Sequence, residues 1–249
     1  MVRGLSKFQE YFSEYPNSYI LIGGCACDLN LNHAALEYRT TRDLDIVLCA
    51  EEHARDFFDV FWRFVHDGRY KWWKSSGEPA FYRFHSPASE DFPFMLELFS
   101  RRLDDLELPE NAHLTPIPVE DEISSLSAIL LDDHYYHFLR DNRIVRAGLS
   151  VASPAALIVL KAKAWMDLNL RRQNGEPVDS HNIRKHKGDI ARLVQLLEET
   201  PLDLPSEIRS DMQEFLIRFA QEPIKPKDLN IFITEEKVKQ VLEKVFASD

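Results

Sequence analysis

Cysteine is scarce in this 249-residue chain, and the three present, Cys25, Cys27 and Cys49, are an odd number. That excludes a disulfide framework, and Cys25-Ala26-Cys27 has no second pair to complete a zinc site. The expectation is three reduced thiols in or near the core. No apolar run approaches the roughly 20 residues that a membrane-spanning helix requires. Residues 1–15 are polar and amphipathic, without an apolar signal region, so the reading is a non-secreted, cytoplasmic protein. Internal repeats and low-complexity tracts are also lacking. So is an excess of basic charge: the net charge is −11, which argues against a protein that coats nucleic acid broadly.

What is present suits a folded globular chain, with 45% apolar and 11% aromatic residues. The charge is unevenly spread. Between Lys161 and Arg192, eight Lys/Arg stand against four Asp/Glu, so that segment is net +4 and the rest of the chain is net −15. A cationic region inside an acidic protein suits a polyanion such as a triphosphate or an RNA end. The alternative is a solvated helix face.

The periodicity places a short helix at 5–15, a strand at 18–22, the turn Gly23-Gly24 and a helix to about Leu31. A second strand follows at 43–49. An amphipathic helix over 51–66 carries Phe57, Phe58, Phe61, Phe64 and Val65 at helical spacing, as core packing. Strands are expected at 80–85 and 92–99, with further ones at 112–119, 134–139 and 143–150. The last two would be joined as a hairpin by Arg140-Asp141-Asn142. Ser153-Pro154 has the cap-then-proline order of a helix start, and that helix runs to about Arg172. After a polar break at 173–180, helices are expected near 181–199, 205–221 and 234–246. The fold class is therefore α+β. A mixed β-sheet with flanking helices fills residues 1–150, and a helical bundle fills 151–249.

Chemistry concentrates at Asp43-Leu44-Asp45. Strand residues i and i+2 point to one face, so both carboxylates project from the start of an apolar strand. Such a pair is poor for packing and good for holding Mg²⁺. The upstream Gly-Gly turn lets backbone N–H groups approach a phosphate. A third acid, Glu97, lies alone among apolar neighbours in Phe94–Phe99, which calls for a partner. A metal shared with Asp43 and Asp45 is one answer, and an ion pair with Arg83 or Arg101 is the other. His134 and His137 have no third ligand at metal spacing and read as strand or surface histidines. Trp72 and Trp73 beside Lys71 and Lys74 could stack on bases, but read first as packing.

Gly-Gly, then Arg39-x-Thr41-x-Asp43-x-Asp45, then one acid in a later apolar strand resembles the nucleotidyltransferase superfamily with the polymerase-β-type core. The helix around Lys161-Ala162-Lys163-Ala164 and the downstream Lys187-Gly188-Asp189-Ile190-Ala191-Arg192-Leu193 resemble the AbiEii-like toxins of type IV toxin–antitoxin and abortive-infection systems. The resemblance covers roughly residues 18 to 197. It implies that Asp43, Asp45 and Glu97 are catalytic and hold Mg²⁺, with Glu97 completing the metal site or helping to deprotonate the attacking hydroxyl. It implies that Gly23, Gly24, Arg39, Thr41, Lys161 and Asp189 serve the nucleotide. The implied activity is transfer of a nucleotide from an NTP to an acceptor hydroxyl, an RNA or tRNA end, by a toxin-like protein with a cognate antitoxin. Two departures stand out. Gly24 replaces the serine that many relatives carry at the second turn position, and Glu97 is one methylene longer than the common aspartate.

Two other functions share these residues. One is nucleotidyl transfer to a small molecule or a protein side chain. The other is a nucleotide- or partner-binding module that keeps the fold without catalysis, which the intact acidic set disfavours and the missing turn serine favours.

Overall fold

Asp43 and Asp45 lie on a central strand of a seven-stranded mixed sheet. The computed structural model describes residues 2–39, 41–49, 54–72, 81–99, 129 and 132–247. In chain order its elements begin with α1 (Leu5–Phe12), β1 (Tyr19–Ile22), α2 (Gly23–His33), β2 (Asp43–Leu48) and α3 (Ala54–Asp67). β3 (Lys71–Trp72), β4 (Phe81–His85) and β5 (Met95–Phe99) follow, then α4 (Asp133–Asp141), β6 (Arg143–Arg146) and β7 (Leu149–Ala152). The rest is helical: α5 (Pro154–Gln173), α6 (Ser180–Leu193), a 3₁₀ turn (Val194–Leu196), α7 (Ser206–Ala220), α8 (Pro226–Leu229) and α9 (Glu235–Phe246).

The sheet order is β3-β4-β5-β2-β1-β7-β6. β1 runs antiparallel to β2 and parallel to β7, while β2 runs parallel to β5. β4 is antiparallel to β5, and β6 to β7. Strand alternation gives the sheet two different faces. Leu44, Leu96, Phe84 and Tyr19 share one face by register. Against it packs an aromatic core from α1 and α3: Phe8, Phe12, Phe57, Phe61 and Phe64, with edge contacts to Tyr19 and Phe84. The helical stripe expected in 51–66 is that core. The opposite face carries Asp43, Asp45, Glu97 and Arg83. On that second face the charged residues sit beside buried apolar ones, Ile20, Ile22 and Val47.

The chain divides into two compact units. The first is Met1–His33, Tyr38–Pro118 and Arg143–Ala152; the second is Ala34–Glu37, Val119–Asn142 and Ser153–Asp249. The long helix α5 opens the second unit's last segment at Ser153, and α4, which precedes β6 and β7 in the chain, belongs to that unit as well. Within the second unit, Trp165 of α5 meets Phe215 and Phe219 of α7 edge-on. Tyr135 of α4 donates a 2.7 Å hydrogen bond to Asp211 of α7, which also accepts from Lys163 of α5.

Residues 134–139 form a helix, not the expected strand. Asp132 caps it, its carboxylate accepting from the backbone N–H groups of His134 and Tyr135. Tyr135, Tyr136, Phe138 and Leu139 are buried at helical spacing. The hairpin lies one element later, between β6 and β7. Its two-residue turn is Ala147-Gly148, both at positive φ (48° and 71°), the conformation that tight hairpins demand. The start of α5 follows expectation: Ser153 Oγ accepts from the Ala156 N–H, and Pro154 occupies the first helical position. The strand expected at 112–119 lies outside the described residues, as do Arg101, Trp73 and Lys74. All three cysteines are buried and outside any disulfide. Among the described residues no helix is long and apolar enough to cross a membrane.

Candidate functional site

Three charged residues form a row across three strands. Arg83 of β4 is in register with Glu97 of β5, and Glu97 with Asp45 of β2. In-register neighbours share a face, so the three side chains lie side by side. Glu97 is only 6% exposed. Arg83 donates to its Oε1 from both Nε (2.9 Å) and Nη2 (2.7 Å). Across the next strand pair, Glu97 is the in-register neighbour of Asp45, and the two acids interact electrostatically. Burial, then the charge of Asp45, push the Glu97 carboxyl up to about 9, against the opposing pull of Arg83. Two carboxyl groups held this close require a proton or a cation between them. Of the two answers to the isolated acid, the ion pair with Arg83 is present, and Glu97 is also the in-register neighbour of Asp45.

Asp43 is half-buried on the same face, two residues before Asp45. Its in-register neighbour on β5 is Met95, not an acid. Among the described residues no three His, Cys, Asp or Glu side chains converge as a ready-made metal cage. Asp45 and Glu97, in register on adjacent strands, are the two acids that remain as candidate donors to one ion. That fits Mg²⁺, which is commonly held by one or two carboxylates and completed by water and substrate phosphate oxygens.

The Gly-Gly turn is built around the same aspartate. Gly23 has φ +62°, and a Cβ there would collide with Asp45 Oδ2. Glycine is thus required twice, for its backbone and for its missing side chain. α2 begins directly at Gly23, so the first N–H groups of an 11-residue helix start beside Asp45. Gly24 has a different reason: a Cβ there would lie 2.6 Å from Thr41 Oγ1. The Thr41 hydroxyl occupies the place where a turn side chain would begin, so serine is excluded by a neighbour that itself brings a hydroxyl. Arg39 lies with its guanidinium 5.0 Å from the centre of the Tyr38 ring.

Lys161 and Asp189 belong to the second unit and meet each other there. The Lys161 ammonium donates to Asp189 Oδ2 at 2.9 Å, and the two are 5% and 0% exposed. Arg192 approaches the other Asp189 oxygen at 3.7 Å. Lys163 points elsewhere, to Asp211, as expected for a helix neighbour two residues on. Lys187 pairs with Glu222, and Arg171 with Glu176. At least five of the eight cations between 161 and 192 thus have acidic partners. Two acids from outside the segment, Asp211 and Glu222, offset half of its net +4. His134 lies 3.4 Å from Glu207 at the surface of the helical unit.

The residue that sequence reasoning named only as an ordinary ion-pair partner is Arg83. Its signal was its position at the centre of a five-residue strand whose register brings it opposite Glu97. No protein-family model matches this chain, and no curated protein is significantly similar to it in sequence.

Proposed function

We propose that the first unit is a Mg²⁺-dependent nucleotidyl-transfer domain of the polymerase-β-type kind, acting on a nucleoside triphosphate. The observation that carries this reading is the coincidence at one point of Asp45, its in-register partner Glu97 and a glycine turn that opens a helix. Asp45 and Glu97 would hold the ion, with Asp43 at the strand start supporting them. Bound there, Mg²⁺ would neutralise phosphate charge and favour departure of pyrophosphate. The first N–H groups of α2 would receive phosphate oxygens, where the helix dipole favours negative charge. Thr41 would add a hydroxyl donor beside that turn. In the reaction an acceptor oxygen forms a bond to the α-phosphorus, the bond to the pyrophosphate oxygen breaks, and the hydroxyl proton passes to a base. The family resemblance offers Glu97 for that role, as the alternative to holding the ion.

The acceptor proposed from the family resemblance is an RNA end, tRNA included, with a cognate antitoxin as regulator. One observation favours a second acceptor class. The cations of residues 161–192 are largely consumed by internal ion pairs, which lessens the field available to a polyanion and favours a small hydroxyl compound or a protein side chain. Lys161 and Asp189 are proposed to serve the nucleotide only through opening of their buried pair.

The test is transfer of label from each α-labelled NTP, with Mg²⁺, to total tRNA, to cell-extract small molecules and to protein, beside an Asp45→Ala control. Label moving to one acceptor pool with wild type alone supports the reading and names the acceptor. No transfer to any pool by wild type contradicts it.

A further inference from the structure

Asp43 shares a row of the sheet with two basic residues. Its in-register neighbour on β5 is Met95, Met95 is in register with His85 on β4, and His85 with Lys71 on β3. In-register residues share a face, so this row runs beside Arg83, Glu97 and Asp45 on the same side of the sheet. Strand spacing puts the backbone of His85 about 10 Å from that of Asp43, and that of Lys71 about 15 Å away. Asp43, Met95 and His85 are half-buried and Lys71 is exposed, whereas Ile20, Ile22 and Val47 further along that face are buried. The accessible part of the face is therefore this corner, acidic on β2 and basic on β3 and β4. The basic side chains are close enough to act on one another. Burial, then the charges of Lys71 and Arg83, hold the His85 imidazole below its usual range, which keeps the ring neutral at neutral pH. Among the described residues Lys71 has no ion-pair partner.

An in-line displacement has a direction: the attacking oxygen enters opposite the leaving pyrophosphate. α2 begins beside Asp45 at the end of β1, and β1 flanks β2 on the side away from β5. A triphosphate held at that turn leaves the acceptor the other side, over β5, β4 and β3. We infer that Lys71 and His85 form an anion subsite for the acceptor, so that the hydroxyl that attacks belongs to a compound that also carries a phosphate group. This rests on the nucleotidyl-transfer reading and adds to it the chemistry of the acceptor and two residues that select it. Lys71 supplies charge, and the neutral His85 ring supplies an N–H donor. Arg83 is held by Glu97 and contributes its field.

The experiment is a ligand-observed NMR titration of the full chain, with the nucleotide site filled by Mg²⁺ and a non-hydrolysable NTP. The probes are ribose, ribose 5-phosphate and a short oligoribonucleotide without terminal phosphates. Wild type is expected to bind one of the two phosphate-bearing probes and to bind ribose far more weakly. Preference for ribose 5-phosphate identifies a small phosphomonoester as the acceptor, and preference for the oligoribonucleotide identifies an RNA end. Lys71→Glu is expected to weaken the bound probe roughly tenfold, as for loss of one charge-assisted contact, and His85→Phe several-fold. NTP affinity is expected to stay unchanged in both variants, which also shows that they are folded. If His85→Phe fails that check, Lys71→Glu decides. NTP binding without binding of either phosphate probe, or probe binding that neither variant weakens, overturns the inference and leaves the nucleotidyl-transfer reading standing. No NTP binding by wild type overturns both.

Discussion

Asp45 Oδ2 fills the space that a side chain at Gly23 would need. The turn and the acid are therefore one device: the turn approaches the carboxylate closely only because residue 23 has no Cβ and tolerates φ +62°. Gly23→Ala must move either the backbone or Asp45. The expected result is loss of Mg²⁺-dependent nucleotide binding, together with destabilisation of at least about 1 kcal/mol from the left-handed conformation alone. Calorimetric binding and chemical denaturation on the same preparation check both parts.

Glu97 supplies a pH dependence. Its carboxyl is raised from 4.5 to about 9 in the folded state. Between those values the native chain keeps a proton that the unfolded chain has released, so stability falls as pH rises. The contribution is fully present below about 4.5 and lost by about 9. Glu97→Gln removes this dependence, so the melting temperature of wild type relative to this variant is expected to decline from pH 5 to pH 9. A cation that takes the proton's place makes Mg²⁺ more stabilising at pH 8 than at pH 6. Thermal melts across pH, with and without Mg²⁺, read both effects.

Lys161 and Asp189 form a buried pair in the helical unit. Removing one partner leaves the other's charge desolvated, at a cost of about 3–5 kcal/mol. Lys161→Met and Asp189→Leu are each expected to lower the melting temperature strongly. The double variant Lys161→Met/Asp189→Leu should be less damaged than the sum of the single changes. A double-mutant cycle measures this and shows whether any activity lost at Lys161 follows stability.

Thr41 stands against Gly24 with its hydroxyl where a turn side chain would begin. Thr41→Val keeps the shape and removes the donor. It is expected to weaken NTP binding several-fold, as for one net hydrogen bond of about 1 kcal/mol, with little change in melting temperature.

The acidic strand, the glycine turn and the lone glutamate were legible because each breaks a local rule: charge in an apolar strand, glycine at a strand end, an acid without a neighbour. The aromatic stripe of α3 and the start of α5 were legible from spacing and from Ser153-Pro154. Residues 134–139 were misread because a short run rich in aromatic residues, His-Tyr-Tyr-His-Phe-Leu, suits a strand by propensity as well as a helix by spacing. The cap that decides between them, Asp132, lies just outside that window. The role of Arg83 was not legible because register between β4 and β5 is a tertiary property. The ion pairs within 161–192 were not legible for a similar reason: Asp211 and Glu222, which match Lys163 and Lys187, are remote in sequence.

The central claim is that Asp45 and Glu97 together hold a metal–nucleotide complex. It is tested most directly by binding, which does not depend on knowing the acceptor. Isothermal titration of a non-hydrolysable NTP into wild type, Asp45→Asn and Glu97→Gln, each with Mg²⁺ and with EDTA, is the measurement. The account predicts binding by wild type that requires Mg²⁺ and is lost in Asp45→Asn and strongly weakened in Glu97→Gln. Binding unaffected by EDTA and by both substitutions, or no binding by a folded wild type, would contradict it.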